Sequence, residues 1–315
     1  MTAPATTAGA PAREAAERRA RAAERRRTGD LPHLPLHLFL LLMVFVTIYP
    51  ILWVVALALS GQQGLMLADI PENAGAWERL RGIVPWPQHV SLSNFVSVMT
   101  DQPFARWLLN SVIVASATTV LGVALACSAG YAFSRFRFPG RRAGLMSFLV
   151  SQMFPGTLML IPLYIIVVKW LHLGSSWAGL VLIYATTAIP FCVWMLKGYF
   201  DTIPHELEES ALMDGASPGR IFFSIILPLA KPAVAVTALF SFMTGWNEFI
   251  LAATLMDKET MYTAPVGLRF FVAGFSQQWG FFAAGAIIAA IPVVILFMFL
   301  QKYLVSGLTA GAVKG

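Results

Sequence analysis

Glu209-Ser210-Ala211-Leu212-Met213-Asp214-Gly215, followed ten residues after that glycine by Ile225-Ile226-Leu227-Pro228, is the stretch on which the reading of this chain turns. It is short and polar, and it lies between long apolar runs. Over residues 197–230, five carboxylates (Asp201, Glu206, Glu208, Glu209 and Asp214) stand against Lys197 and Arg220. Asp201 or Thr202 can cap a first helix, with Pro204 in its first turn. Glu206, Glu208 and Glu209 then sit near the positive end of that helix, where its dipole favours carboxylates. Gly215 tolerates the positive φ that ends a helix, and Ser217-Pro218 pairs an N-cap with a proline at the first helical position. The stretch therefore predicts two capped helices at a tight turn, a stiff elbow reaching toward Leu227-Pro228. Leu207 and Ala211, four apart, are expected to share one face, with Ser210 and Asp214 beside it. Small side chains at Ser210 and Ala211 permit another protein's backbone to approach closely.

Working outward, the 315-residue chain is 57% hydrophobic and only 12% charged, with mean hydropathy +0.70. Soluble domains carry roughly 25% charged residues, so this is an integral membrane protein. A spanning helix needs about 20 apolar residues. Six stretches qualify, at residues 36–59, 110–133, 145–168, 178–196, 233–255 and 281–300. The expected fold class is an all-α polytopic membrane protein with six transmembrane helices. A basic N-terminal tail (1–35) precedes a transmembrane domain (36–305), whose core covers 107–300 and whose elbow covers 201–228; a C-terminal tail occupies 306–315. Pro50, Pro155, Pro162, Pro190 and Pro292 fall inside the spans. Neighbouring helices and waters can satisfy the backbone groups they free. Kinks are expected near Pro155 and Pro162.

The net charge of +6 has a topological origin. Seven arginines lie between Arg13 and Arg27, and four more are Arg135, Arg137, Arg141 and Arg142. Such clusters mark cytoplasmic flanks. Both termini and the acidic elbow then face the cytoplasm, while residues 61–106, 169–177 and 257–280 lie outside. A DNA-reading helix–turn–helix needs cations to meet phosphates, and the acidic elbow excludes it; no nucleic acid is expected. An amphipathic helix lying on headgroups would carry Lys and Arg on its polar face, so docking to a protein is the better reading of the elbow. Cys127 and Cys192 sit in apolar runs and read as small buried hydrophobes. No metal spacing or phosphate-binding loop is present, so no cofactor and no ATP hydrolysis are expected of this chain. The 24-residue apolar run at 36–59 reads as a span rather than a cleaved signal, and the acids among the leading arginines argue against a transit peptide.

With Ser210 in place of the first alanine, the elbow resembles the coupling loop of ABC importer permeases: E-A-A, three residues, G, nine residues, I-x-L-P. Further stretches are similar to carbohydrate importers of the maltose/maltodextrin type, specifically their second permease subunit. These are Tyr131-Ala132-Phe133-Ser134-Arg135-Phe136-Arg137-Phe138-Pro139-Gly140, Gln152-Met153-Phe154-Pro155, Gly198-Tyr199-Phe200, Trp246-Asn247-Glu248-Phe249 and the end from Leu304 to Gly315. The resemblance covers most of residues 32–315. It implies the type I importer permease fold in a bacterial or archaeal plasma membrane. The implied partners are a homologous permease, two ATPase subunits that bind ATP and Mg, and an extracytoplasmic sugar-binding protein. It also implies that Glu209, Ser210, Ala211, Leu212, Asp214, Gly215, Leu227 and Pro228 couple to the ATPase. Gly307, Thr309, Gly311 and Lys314 of the tail would contact the ATPase dimer, although a glycine-rich end is otherwise read as disordered.

Gln152, Trp246, Asn247 and Glu248 stand out among the span residues. Amide, carboxylate and aromatic groups together suit a sugar pathway, while a buried carboxylate usually faces a cavity or partner. Structural hydrogen bonding between helices explains them as well, and both readings stand. Asn247 is expected to share a face with Met243 and Leu251. In the maltose-type importers the paired permease supplies most or all of the intramembrane sugar contacts. The outer loop 257–280 holds Tyr262, Arg269, Gln277 and Gln278, which by the resemblance reach into the binding protein; interfacial anchoring accounts for some of its aromatics. Importers of glycerol-phosphate or another polyol share the same loop. An ion-coupled secondary transporter would want charged ion sites in the spans, and those are sparse.

Overall fold

The computed structural model describes residues 34–68, 70 and 75–312, and these contain helices and no strand. Hydrocarbon offers no partner for backbone N–H and C=O groups, so an apolar chain of this kind satisfies them within helices. In chain order the helices are α1 (Leu34–Ala58), α2 (Ala76–Ile83), α3 (Ser93–Thr100), α4 (Phe104–Arg135), α5 (Arg141–Met153) and α6 (Gly156–Tyr164). Then come α7 (Trp177–Thr202), α8 (Glu206–Met213), α9 (Pro218–Ile221), α10 (Leu227–Leu229), α11 (Lys231–Trp246), α12 (Ile250–Leu255), α13 (Ala264–Val272) and α14 (Trp279–Ala312). Wider, π-type turns cover Ile165–Trp170 and Phe222–Ile226.

Among the described residues, four helices, α1, α4, α7 and α14, are long and apolar enough to cross a bilayer. Two bent pairs bring the number to six if each counts as one span: 141–153 with 156–170, bent by 104°, and 218–229 with 231–246, bent by 80°. The six-span expectation therefore holds, with two spans differing from the expected stretches. At 145–168 the helix breaks at Phe154-Pro155. Proline pushes the residue before it out of the helical region, and Phe154 adopts extended angles (φ −81°, ψ 127°). Pro162, the other expected kink, stays inside α6. At 233–255 the helix stops at Trp246 and restarts at Ile250, and α11 instead forms its bent pair with the segment before it.

Helices α4 and α7 pack along each other at the centre, and α11 lies across both. Gly130 permits that approach, because a Cβ there would stand 3.2 Å from both Leu196 Cβ and the Lys197 amide nitrogen. Small residues at helix crossings are how apolar helices gain van der Waals contact in a membrane. Helix α1 packs on α14. None of its apolar window is buried by the rest of the chain, so its surface is left for lipid or another subunit.

The outer segments are more structured than the loops expected at 61–106 and 257–280. Asn94 of α3 donates to the Leu57 and Ala58 carbonyls at the end of α1 (3.4 and 3.2 Å). Trp107 Nε1 donates to the Glu259 carbonyl at 2.9 Å, and Asn110 Nδ2 donates to those of Thr260 and Tyr262 at 3.0 and 2.8 Å. Ala264, Val266 and Phe271 of α13 are buried, and this helix packs against α4 and α14. The segment is a fixed cap over α4.

Candidate coupling elbow and transport pathway

The elbow forms as two short helices around a left-handed glycine. Gly215 has φ +79°, and a Cβ there would meet nothing within 4 Å. Its N–H donates to the Leu212 carbonyl (3.0 Å) and that of Ala216 to the Ala211 carbonyl (3.0 Å), closing α8 as an αL cap should. Ser217 caps α9 as expected, its Oγ accepting from the Arg220 N–H at 3.4 Å with Pro218 in the first turn. Glu206, Glu208 and Glu209 occupy the first turn of α8. Asp201 and Thr202 do not cap α8; this expectation is corrected. Helix α7 runs through both, because Asp201 is held there by an ion pair to Lys197 and by the Ser134 hydroxyl at 2.6 Å. His205 takes the N-cap position of α8 and makes no side-chain capping bond.

The faces of α8 also differ from expectation. Ala211 is only 8% exposed and packs inward with Phe200, Ile203 and Ile221, while Leu207 lies outward. Leu207, Leu212 and Met213 (88% exposed) form the open apolar surface. Glu206, Glu209, Ser210 and Asp214 are exposed around them. Leu227 is half-buried and Pro228 exposed, just before the bend at Ala230 where the elbow passes into α11.

Inward from this surface sits a polar knot. Arg135, the last residue of α4, makes an ion pair through Nε with Glu208 of α8. Its Nη2 donates to the Ile203 carbonyl at 2.9 Å and its Nη1 to Ser134 Oγ at 3.3 Å. The Tyr131 hydroxyl donates to the second Glu208 oxygen at 2.9 Å. The Arg135 and Glu208 side chains are only 4% and 13% exposed. Sequence reasoning counted Arg135 as a topological charge and missed this role. Its place at the end of an apolar span, facing an acidic segment distant in the chain, was the only signal available.

A cavity of about 670 Å³ lies farther along α11, lined by Phe240, Met243, Thr244, Asn247, Glu248, Phe249 and Ile250. An adjoining cleft of about 450 Å³ runs between α11, α13 and α14, and Met243 and Asn247 line both. Trp246 is buried and stacks on Phe242 (centroids 5.3 Å apart, 17° between planes), so it borders the second cleft and not the first. Glu248 is turned onto backbone: its two oxygens accept the N–H groups of Leu251 (2.9 Å) and Ala252 (3.1 Å) at the start of α12. That interruption places Leu251 in the core, whereas Asn247 is exposed. The expected shared face of Met243, Asn247 and Leu251 is thus cut by the helix break. Gln152 lies apart from this group, on α5, donating to the Thr187 carbonyl at 3.1 Å.

A third cavity, about 270 Å³, is lined by Phe249, Ala253, Tyr262, Val266, Arg269, Phe270 and Ala273. The Arg269 guanidinium stands 5.3 Å from the Phe249 ring centre, and Tyr262 stacks on Phe270. Gln277 and Gln278 follow on the next turn; Gln277 Oε1 accepts from Trp279 Nε1 at 2.9 Å. Phe275, two residues before Gln277, is fully exposed. At the other end, the backbone at Gly307, Thr309 and Gly311 continues α14 to Ala312. Their side-chain surroundings, and Lys314 entirely, lie outside the described residues. Among the described residues, no group of three His, Cys, Asp or Glu side chains is placed to hold a metal.

Residues 118–310 match the family model described as the inner membrane component of binding-protein-dependent transport systems. The chain is 39% identical over 280 residues to the maltodextrin transport system permease protein MdxG of Bacillus subtilis (strain 168), covering 89% of this chain and 95% of that protein. It is 36% identical over 285 residues to the maltose/maltodextrin permease protein MalG of Escherichia coli (strain K12), with 89% and 95% covered. To the trehalose permease protein SugB of Mycobacterium tuberculosis (strain CDC 1551 / Oshkosh) it is 37% identical over 231 residues, with 73% and 84% covered. Its fold is similar to a chain of a bacterial ABC transporter involved in the import of the acidic polysaccharide alginate: TM-score 0.71 at 23% identity, over 89% of this chain and 97% of that one.

Proposed function

The chain belongs to the family of inner membrane components of binding-protein-dependent transport systems, and from that premise we propose that it is the second permease subunit of an ATP-driven importer of oligosaccharides such as maltose, maltodextrin or trehalose. It is a multi-pass protein of the bacterial inner membrane and performs transport rather than catalysis. The proposed assembly pairs it with a homologous permease, two ATPase subunits that carry ATP and Mg, and an extracytoplasmic sugar-binding protein. The elbow residues Glu209, Ser210, Leu212, Asp214 and Gly215 would meet the ATPase, with Ala211 supporting them from within.

One observation supports this most directly: the elbow is continuous with the helix that lines the 670 Å³ cavity. It passes through the bend at Ala230 into α11, whose far end bears Met243, Thr244 and Asn247. A displacement of the elbow would tilt that lining. ATP supplies the bias by binding one state of the ATPase dimer better than the other, and this chain transmits it. Purification of the complex on a tag carried by this chain tests the proposal. The ATPase, the homologous partner permease and sugar-stimulated hydrolysis in proteoliposomes should be recovered together; a chain that moves sugar without a nucleotide-hydrolysing companion would refute it.

Asn247 is the residue proposed to meet sugar. Loss of one hydrogen bond is worth roughly 0.5–1.5 kcal/mol, so Asn247→Ala should raise the sugar concentration for half-maximal stimulation by about two- to tenfold. An unchanged value would leave Asn247 a structural residue only.

A further inference from the structure

We infer that Arg135 and Glu208 are positioning residues for coupling, forming the brace that makes the elbow and the cytoplasmic end of α4 move as one body. The inference rests on the proposed function and adds two residues that are not among those proposed to meet the ATPase or the sugar. Helix α8 has only eight residues and is joined to α7 through Ile203, Pro204 and His205. A helix this short, linked by non-helical chain at both ends, would swivel when pushed and dissipate the displacement. Arg135 prevents this with one planar group. Its guanidinium holds Glu208 on α8, the Ile203 carbonyl in the link, and Ser134 on α4, and Ser134 in turn donates to Asp201 on α7. Three elements thus converge on a cation that stays charged at any physiological pH. Tyr131 occupies the other Glu208 oxygen. Burial shields the pair from the screening that makes exposed ion pairs weak, and loss of either partner leaves a buried charge unmatched. The adjacent carboxylates divide the work: Glu208 faces inward, while Glu209 is exposed among the residues proposed to meet the ATPase.

The experiment measures sugar moved per ATP hydrolysed by the complete reconstituted complex bearing Glu208→Gln, Glu208→Asp or Arg135→Lys. Co-purification of the ATPase is scored first. Glu208→Gln and Arg135→Lys should lower the ratio by about fivefold or more, the lower end of ordinary coupling effects; Glu208→Asp should retain more of it than Glu208→Gln. An unchanged ratio in the assembled variants would overturn the inference. Should the variants fail to assemble, spin labels at exposed positions 137 and 206 of the otherwise unaltered complex decide it. Their separation should hold through apo, ATP-bound and post-hydrolysis states, and a shift between states would overturn the brace. Absence of an ATPase from the unaltered complex would instead refute the proposed function, a result distinct from either outcome.

Discussion

Gly215→Val is expected to reduce sugar uptake to near background while the chain still inserts in the membrane. At φ +79° a residue with a Cβ costs roughly 1–2 kcal/mol, and a β-branched one more. A Cβ at this position meets no neighbouring atom within 4 Å, so the effect comes from backbone conformation and not from a clash at the Cβ. The chain would relieve the strain by leaving the left-handed region. That abolishes the two closing bonds, Gly215 to Leu212 and Ala216 to Ala211, and swings α9 relative to α8. The exposed surface of Leu207, Leu212 and Met213 would then no longer match a rigid cleft. Every 1.4 kcal/mol lost from docking is about a tenfold loss of affinity, so uptake should fall at least about tenfold. Gly215→Asn, which tolerates positive φ, should retain most activity. Radiolabelled sugar uptake and membrane fractionation check both. Equal uptake by the valine and asparagine variants would show that the elbow's angle is immaterial to coupling.

The elbow was legible in sequence because its signals are local. Gly215, Ser217-Pro218 and the acidic first turn each act on backbone within a few residues, and each appears where expected. Four of the spans were legible for a similar reason, since length and apolarity identify α1, α4, α7 and α14, whereas the two bent spans were only partly so. What escaped was non-local. Nothing near Arg135 in the chain announces Glu208, which lies 73 residues away, and nothing near Asp201 announces Ser134, 67 residues away, although its other partner, Lys197, is four residues back on the same helix. Trp246-Asn247-Glu248 suited a sugar pathway by its chemistry, with structural hydrogen bonding between helices as the other reading. The helix break divides them among a core stack, an open cavity and a capping bond. Sequence supplied the chemistry of that triplet but not the break, because Glu248 itself provides the alternative partner that lets the helix stop and start again.

Glu248→Ala therefore should act through stability before it acts through sugar. The carboxylate accepts two N–H groups at the start of α12, where the helix dipole favours a negative group. An unsatisfied buried amide costs roughly 1–3 kcal/mol, so losing both acceptors should release α12, whose Leu251, Ala252 and Leu255 are buried. The purified complex should unfold at lower temperature, and uptake should fall about tenfold or more, since a 1.4 kcal/mol shift toward a released state is already a factor of ten. Glu248→Gln retains one carbonyl oxygen able to accept, so its loss of stability should be the smaller of the two. If Glu248 served sugar alone, the pattern would invert. Both variants would then raise the half-saturating sugar concentration while the unfolding temperature stayed in place. Unfolding and sugar titration on the same preparations separate these cases, because a cap acts whether or not sugar is present and a sugar ligand acts only when it is.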